Sequence, residues 1–244
     1  MEIKTFPITL VESFMLTPSV KHFRFRITPS QDFHYLPGQF ITLLFEKDGK
    51  ILKRSYSIAN PPNTSNSIEI SAGYIAGGPG TELLFHLQPG DVVQVSGPFG
   101  RLILRDETPK RYIFVATSTG ITPYRSMIEE LKKRLYNNPD LQIIILQGVQ
   151  RREDILFADE FKSLCKEYPQ IEFRAHLSRQ ESSTLQPGEY GGHVQSSFAN
   201  LQLNPQRDIV YLCGNPSMID EAFEQLKTYE FTTQHIIREK YISR

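Results

Sequence analysis

Apolar positions in the first hundred residues come in short runs, each broken by glycine or proline. Ile8–Phe14 and Val20–Ile27 have strand composition, and His22–Arg26 alternates polar with apolar. Phe40–Phe45 is a compact apolar run after the turn signal Leu36-Pro37-Gly38, and Ser67–Ala72 is another short strand. Asp91–Ser96 follows Gln88-Pro89-Gly90 and precedes Gly97-Pro98. The one helical pattern here, Thr81–Leu87, is short. Short strands separated by turn signals at this spacing predict a closed antiparallel barrel.

The pattern changes at the polar stretch Arg105–Lys110. Strands at Tyr112–Ala116, Gln142–Gln147, Ile171–His176 and Ile209–Cys213 then alternate with helices at Pro123–Tyr136, Asp154–Glu167 and Pro216–Tyr229. Apolar strands alternating with amphipathic helices predict a parallel sheet covered on both faces. The fold expected is therefore a two-domain α+β chain. An antiparallel β-barrel spans 1–105 and an α/β parallel-sheet nucleotide-binding domain spans 106–244. Gln180–Gly192 reads as the longest irregular stretch.

Composition narrows the partners. The 244 residues are 39% hydrophobic, enough for a proper core, and 27 Lys and Arg balance 27 Asp and Glu. Such neutrality argues against a nucleic-acid binder. Cys165 and Cys213 are too few and too far apart for a disulfide framework, a metal site or an iron–sulfur cluster. No signal peptide is evident in Met1–Phe14, and no run approaches the roughly 20 apolar residues of a membrane span. A cytoplasmic monomer is expected.

Two turns could hold phosphate. Thr117-Ser118-Thr119-Gly120-Ile121-Thr122-Pro123 leads from a strand into a helix, with Thr122 as N-cap and Pro123 at the first helical position. A helix start presents unpaired N–H groups, and Gly120 lets the backbone approach a ligand. Leu212-Cys213-Gly214-Asn215-Pro216 repeats the design. Cys213 reads either as a small buried hydrophobe or as a sulfur at the mouth of the crevice. In the first half, Arg54 and Tyr56 share one face of a strand, suited to a phosphate and a ring, while Ser57 faces the other way unless the strand bends. Gly77-Gly78-Pro79-Gly80-Thr81 offers backbone N–H groups and the Thr81 hydroxyl as an anion cradle, or is simply a loop tip.

Taken in order, Pro37-Gly38-Gln39-Phe40, Arg54-Ser55-Tyr56-Ser57, Gly78-Pro79-Gly80-Thr81, Gly97-Pro98-Phe99-Gly100, Thr119-Gly120-Ile121-Thr122-Pro123 and Cys213-Gly214-Asn215-Pro216 resemble the ferredoxin–NADP reductase superfamily over almost the whole chain. The resemblance implies a barrel that binds FAD and a second domain that binds NADP or NAD. It assigns Arg54 to the FAD pyrophosphate, Tyr56 to the isoalloxazine and Ser57 to its N5 edge. Gly78, Gly80 and Thr81 would hold the flavin phosphates, and Thr119 and Gly120 the nicotinamide dinucleotide phosphates. Cys213 and Glu239 would lie where nicotinamide meets flavin. Three departures stand out: Ser118 where a glycine is usual, a tail of Ser243 and Arg244 with Tyr241 as its nearest ring, and no cluster-binding cysteines.

Ser178 and Arg179 stand where NADP-using relatives place a Ser-Arg pair, with His193 near a second basic position and Arg151 and Arg152 as further candidates. NADPH is therefore expected, and a ferredoxin or flavodoxin as acceptor, with Lys53 and Arg101 as docking candidates. Two enzyme alternatives are a flavin-releasing NAD(P)H:flavin reductase and an oxygenase reductase component. A non-catalytic redox-sensing subunit is the alternative of another class.

Overall fold

A computed structural model describes residues 4–28, 33–47, 49–62, 66–107 and 109–241. The tail at Ser243 and Arg244 lies outside the described residues. The chain forms two compact units, one of Met1–Leu104 with Thr122–Glu129, the other of Arg105–Ile121 with Glu130–Arg244.

The first unit is built on six antiparallel strands: β1 (Lys4–Met15), β2 (Val20–Ile27), β3 (Phe40–Lys47), β4 (Lys50–Ser57), β5 (Ser67–Gly73) and β6 (Val92–Phe99). Their order is β4-β3-β6-β1-β2-β5, and an antiparallel bridge between Ile58 and Ile70 joins the two outer strands. The two ends of the sheet thus meet at that bridge, as in a barrel. Alternate residues point inward: Phe6, Ile8 and Leu10 from β1, Phe23 and Phe25 from β2, Ile41 and Leu43 from β3, Val93 and Val95 from β6. Helix α1 (Pro79–His86) begins two residues earlier than the apolar pattern suggested, because proline is preorganised for a first helical turn.

The second unit holds a parallel sheet of β7 (Arg111–Thr117), β8 (Gln142–Val149), β9 (Ile171–Leu177), β10 (Glu189–Gly191), β11 (Asp208–Gly214) and β12 (Ile236–Lys240). Its order is β10-β9-β8-β7-β11-β12. Helices α2 (Thr122–Asn137), α3 (Ala158–Glu167) and α4 (Pro216–Thr228) connect them, the Thr122–Glu129 part of α2 belonging to the first unit. β11 is buried along its whole length, as expected of a strand covered on both faces. Ile113, Val115, Ile144, Leu146, Val210 and Leu212 pack on one side against α4 and Phe198. β10 interrupts the stretch read as irregular; three residues are too few to show a period.

Candidate functional site

In the first unit, β4 presents Arg54 and Tyr56 half-buried on one face and Lys53 and Ser55 exposed on the other. The stem of Arg54 lies against Gly80: a Cβ there would come within 2.6 Å of Arg54 Cγ and 2.9 Å of its Nε. A side chain at position 80 would thus displace the guanidinium, so the strand and the glycine loop meet only because residue 80 is glycine. Arg54 Nη1 also donates to its neighbour's carbonyl, Lys53 O, at 2.8 Å.

The Thr81 hydroxyl turns out to serve the loop itself. It donates to Ile75 O at 3.1 Å and to Gly78 O at 3.0 Å, and it accepts from Ile75 N at 3.3 Å. The expectation that this hydroxyl forms part of an anion cradle is corrected: short glycine loops need internal cross-links, and Thr81 supplies one. What remains for an anion are the backbone N–H groups of Gly80 and Thr81 in the first turn of α1, where a helix has no acceptors of its own.

Tyr56 packs against the barrel core, and burial pushes its phenol up to about 12 with Arg54 pulling the other way, so it stays neutral. Ser57 closes β4 and is only 4% exposed. The strict alternation of exposure ends there, since Ile58, Ala59 and Asn60 are buried as well. The strand therefore turns inward at Ser57.

In the second unit, the turns after β7 and β11 pack back to back. A Cβ on Gly120 would lie 2.3 Å from Cys213 O, and one on Gly214, whose φ is +124°, would lie 2.4 Å from Thr117 Oγ1. Asn215 N donates to Thr117 Oγ1 at 2.8 Å, while Asn215 Oδ1 caps α4 by accepting from Ser217 N at 2.8 Å. That cap was expected. The matching cap on α2 was not found. The chain enters α2 through a tight turn, Ser118–Ile121, Ile121 already has helical angles, and the Thr122 hydroxyl is buried without a hydrogen-bond partner among the described residues. A tight turn running straight into a helix leaves no extended residue to act as a cap. Ser118 sits at φ +47°, the left-handed region that a glycine would occupy without strain. Thr119 is half-buried beside it.

Cys213 is fully buried rather than at an open mouth. It is paired in register with Glu239 on β12, and Tyr241 N donates to Gly214 O at 2.8 Å. Burial and the Glu239 carboxylate hold the thiol well above its ordinary value, against a hydrogen bond with Tyr241. The sulfur is thus a neutral thiol. The tertiary fold brings Cys213, Glu239 and Tyr241 together from segments more than 20 residues apart in the chain.

At the ends of β8 and β9, Ser178 N donates to Val149 O at 3.0 Å and Arg179 N to Gln150 O at 2.8 Å. Arg179 is exposed and makes no ion pair among the described residues. Gly192 N reaches Leu177 O at 3.2 Å, which brings the segment before exposed His193 to the same strand end. Arg152 is occupied instead: it forks onto Glu189 at 2.7 Å through both Nε and Nη2. It is corrected from ligand candidate to structural tie, whereas Arg151 remains exposed. No helix among the described residues is long and apolar enough to cross a membrane.

Two family models match: an oxidoreductase FAD-binding domain over residues 7–103 and an oxidoreductase NAD-binding domain over residues 114–224. A ferredoxin–NADP reductase B from Sorangium cellulosum is 30% identical over 221 residues, covering 89% of both chains. The chain belongs to the ferredoxin–NADP reductase superfamily. It is an FAD-dependent oxidoreductase that uses a nicotinamide dinucleotide. Other members include the reductase component of a Pseudomonas phenol 2-monooxygenase, 27% identical over 93% of this chain but only 62% of its own length. A ferredoxin–NADP reductase from Neisseria gonorrhoeae, solved with FAD and NADP, shares the fold at a TM-score of 0.84 and 22% identity, covering 97% of this chain and 98% of its own. The residues present fit such a flavin: Gly80 leaves room for the Arg54 stem at the first turn of α1, and a neutral aromatic ring lies two residues along β4.

Glu69 and Arg125, joined at 2.9 Å, carry no motif signal in the sequence, because their pairing depends on tertiary contacts alone.

Proposed function

We propose that the chain is an NADPH-preferring FAD reductase that supplies single electrons to a separate ferredoxin or flavodoxin, with residues 1–105 holding FAD and residues 106–244 holding the dinucleotide. The observation that carries the flavin half is the convergence of Arg54 on Gly80, which brings a guanidinium to an uncapped helix start. Arg54 with the N–H groups of Gly80 and Thr81 binds the FAD phosphates, while Gly78, its own N–H held by Ile75 O at 2.9 Å, shapes the loop. Tyr56 lies along the isoalloxazine, and Ser57 meets its N5 edge. Thr119 and Gly120 receive the dinucleotide phosphates. Glu239 and Tyr241 flank the nicotinamide, with Cys213 buried behind them.

FAD, when bound, supplies a ring that takes hydride from nicotinamide and releases electrons one at a time. The protein's part is alignment and exclusion of water. Cys213 suits this place as a small neutral thiol, since a buried thiolate beside the reacting rings would add an uncompensated negative charge. Exposed Arg179, with Ser178, reads the 2′-phosphate bidentately. Relatives named as oxygenase reductase components favour a second reading, in which the acceptor belongs to an oxygenase system. A cytoplasmic monomer is part of the same proposal.

The test is anaerobic stopped-flow reduction of the FAD-loaded protein. Fast bleaching by NADPH and much slower bleaching by NADH is the expected result. Arg179→Ala is expected to lower the NADPH-to-NADH preference by roughly tenfold or more, the scale of one lost charge-assisted fork. An unchanged preference removes Arg179 from the role. Oxidised ferredoxin and oxidised flavodoxin, offered separately, then distinguish the acceptors by which of them the NADPH-reduced protein reduces.

A further inference from the structure

Glu69, on β5 of the first unit, lies between two arginines and a histidine. His22 Nε2 is 3.3 Å from Glu69 Oε2, Arg24 Nε donates to Oε1 at 3.1 Å, and Arg125 Nη1 donates to Oε2 at 2.9 Å. The carboxylate side chain is only 12% exposed and Arg125 only 20%. A carboxylate so enclosed, with three cationic or hydrogen-bonding groups, is a rigid anchor.

The same Arg125 Nη1 also donates to Ala59 O at 3.0 Å. Ala59 follows Ser57 by two residues, in the buried stretch after β4. Its own N–H donates to Glu69 O at 2.7 Å, so both backbone groups of Ala59 are tied to the Glu69–Arg125 pair. Ile58 N is held by Gln39 O at 3.0 Å, and Gly38 N is held by the hydroxyl of Ser126, the residue after Arg125, at 2.8 Å. The backbone on either side of Ile58 is thereby fixed from two consecutive residues of α2, directly by Arg125 and through Gly38–Gln39 by Ser126.

We infer that Arg125, anchored by Glu69, is a positioning residue that fixes the Ser57–Ala59 backbone and so sets where the Ser57 hydroxyl stands against the flavin ring. This rests on the reading of Ser57 as the residue at the ring edge. A loss of alignment of about 1 Å in such a site costs on the order of a hundredfold in rate, so a modest relaxation of the segment is measurable.

The experiment is a double-mutant cycle on the FAD-loaded protein with Ser57→Ala, Arg125→Gln and both together. The readouts are the limiting rate of anaerobic flavin reduction by NADPH, the visible spectrum of the bound flavin, the apparent NADPH affinity and the thermal midpoint. Arg125→Gln is expected to slow reduction roughly tenfold or more, shift the flavin bands and leave NADPH affinity within about twofold. Adding it to Ser57→Ala is expected to slow reduction no further. Arg125→Lys keeps a positive charge beside Glu69 but on a shorter side chain without the fixed planar guanidinium, so the bridge to Ala59 is held less well and an intermediate rate is expected. It decides the matter by the same readouts if Arg125→Gln does not fold.

A wild-type rate and spectrum in both Arg125 variants overturns the inference. Multiplying effects in the double variant overturn it too, since Arg125 then acts other than through Ser57. If Ser57→Ala alone leaves rate and spectrum unchanged, the reading of Ser57 is what fails. A drop in thermal midpoint with unchanged rate and bands makes Arg125 a structural tie only, again against the inference.

Discussion

Single residues carry the site's geometry, and two of them predict opposite outcomes. At Gly80 the space for a Cβ is taken by the Arg54 stem at 2.6 Å. Gly80→Ala is expected to push the guanidinium aside and weaken FAD binding about tenfold or more, measured by titrating FAD into the flavin-free protein. Ser118 is the reverse case, a side chain where the backbone favours none. Its φ of +47° costs roughly 1–2 kcal/mol, and glycine's looser unfolded chain gives back roughly 0.5–1 kcal/mol. Ser118→Gly is therefore expected to stabilise the protein by about 0.5 kcal/mol in urea unfolding, with a small change in NADPH affinity as the turn relaxes. The strain at Ser118 was visible in the sequence only as a departure from the family pattern; its sign and place came from the backbone angles.

Among elements, the parallel sheet of the second unit is pinned at the start of its central strands. Arg111 on β7 forks onto Asp208 on β11 at 3.0 and 2.7 Å, and Arg207 reaches the same carboxylate at 3.0 Å. Asp208 is 1% exposed and Arg111 7%. Removing one partner of a buried pair strands the other charge, so Asp208→Ala is expected to cost about 3–5 kcal/mol in denaturant unfolding. Replacing both partners with apolar residues is expected to cost much less. The strands that make this sheet were legible as apolar runs, because strands buried on both faces need no polar alternation. β10 and β12 were not, being short and at the sheet's edges. The α2 cap was misread for a different reason: Thr122 has the right chemistry for a cap, but the preceding turn is too tight to leave it in an extended conformation.

For the whole molecule, acid stability is where the Glu69 cluster is expected to be felt. Burial alone would raise its carboxyl, yet the His22 hydrogen bond and Arg125 outweigh it and hold the group at about 2, below its ordinary 4.5. A carboxyl lowered on folding stabilises the protein fully above the unfolded value and loses that contribution as pH falls from about 4.5 toward 2. Unfolding free energy measured across that window is expected to fall with acid, and Glu69→Gln is expected to flatten the part of the slope that Glu69 contributes. A slope identical in both proteins would assign acid sensitivity to other carboxylates.

The sequence by itself determined the two architectures and the family, because both rest on local rules. Period-two and period-3.6 patterns, turn signals and ordered short motifs are all written within a few residues of one another. It also singled out Arg54, the Gly78–Thr81 loop, the two strand-to-helix turns and the Ser178–Arg179 corner as candidates. Only the tertiary structure decided what each side chain does there. It turned the Thr81 hydroxyl into its own loop, enclosed Cys213 with Glu239 and Tyr241, tied Arg152 to Glu189, and joined Glu69 to Arg125 across 56 positions of chain. Hydrogen-bond partners and burial are set by which segments the closed barrel and the parallel sheet bring side by side, and no local pattern encodes that.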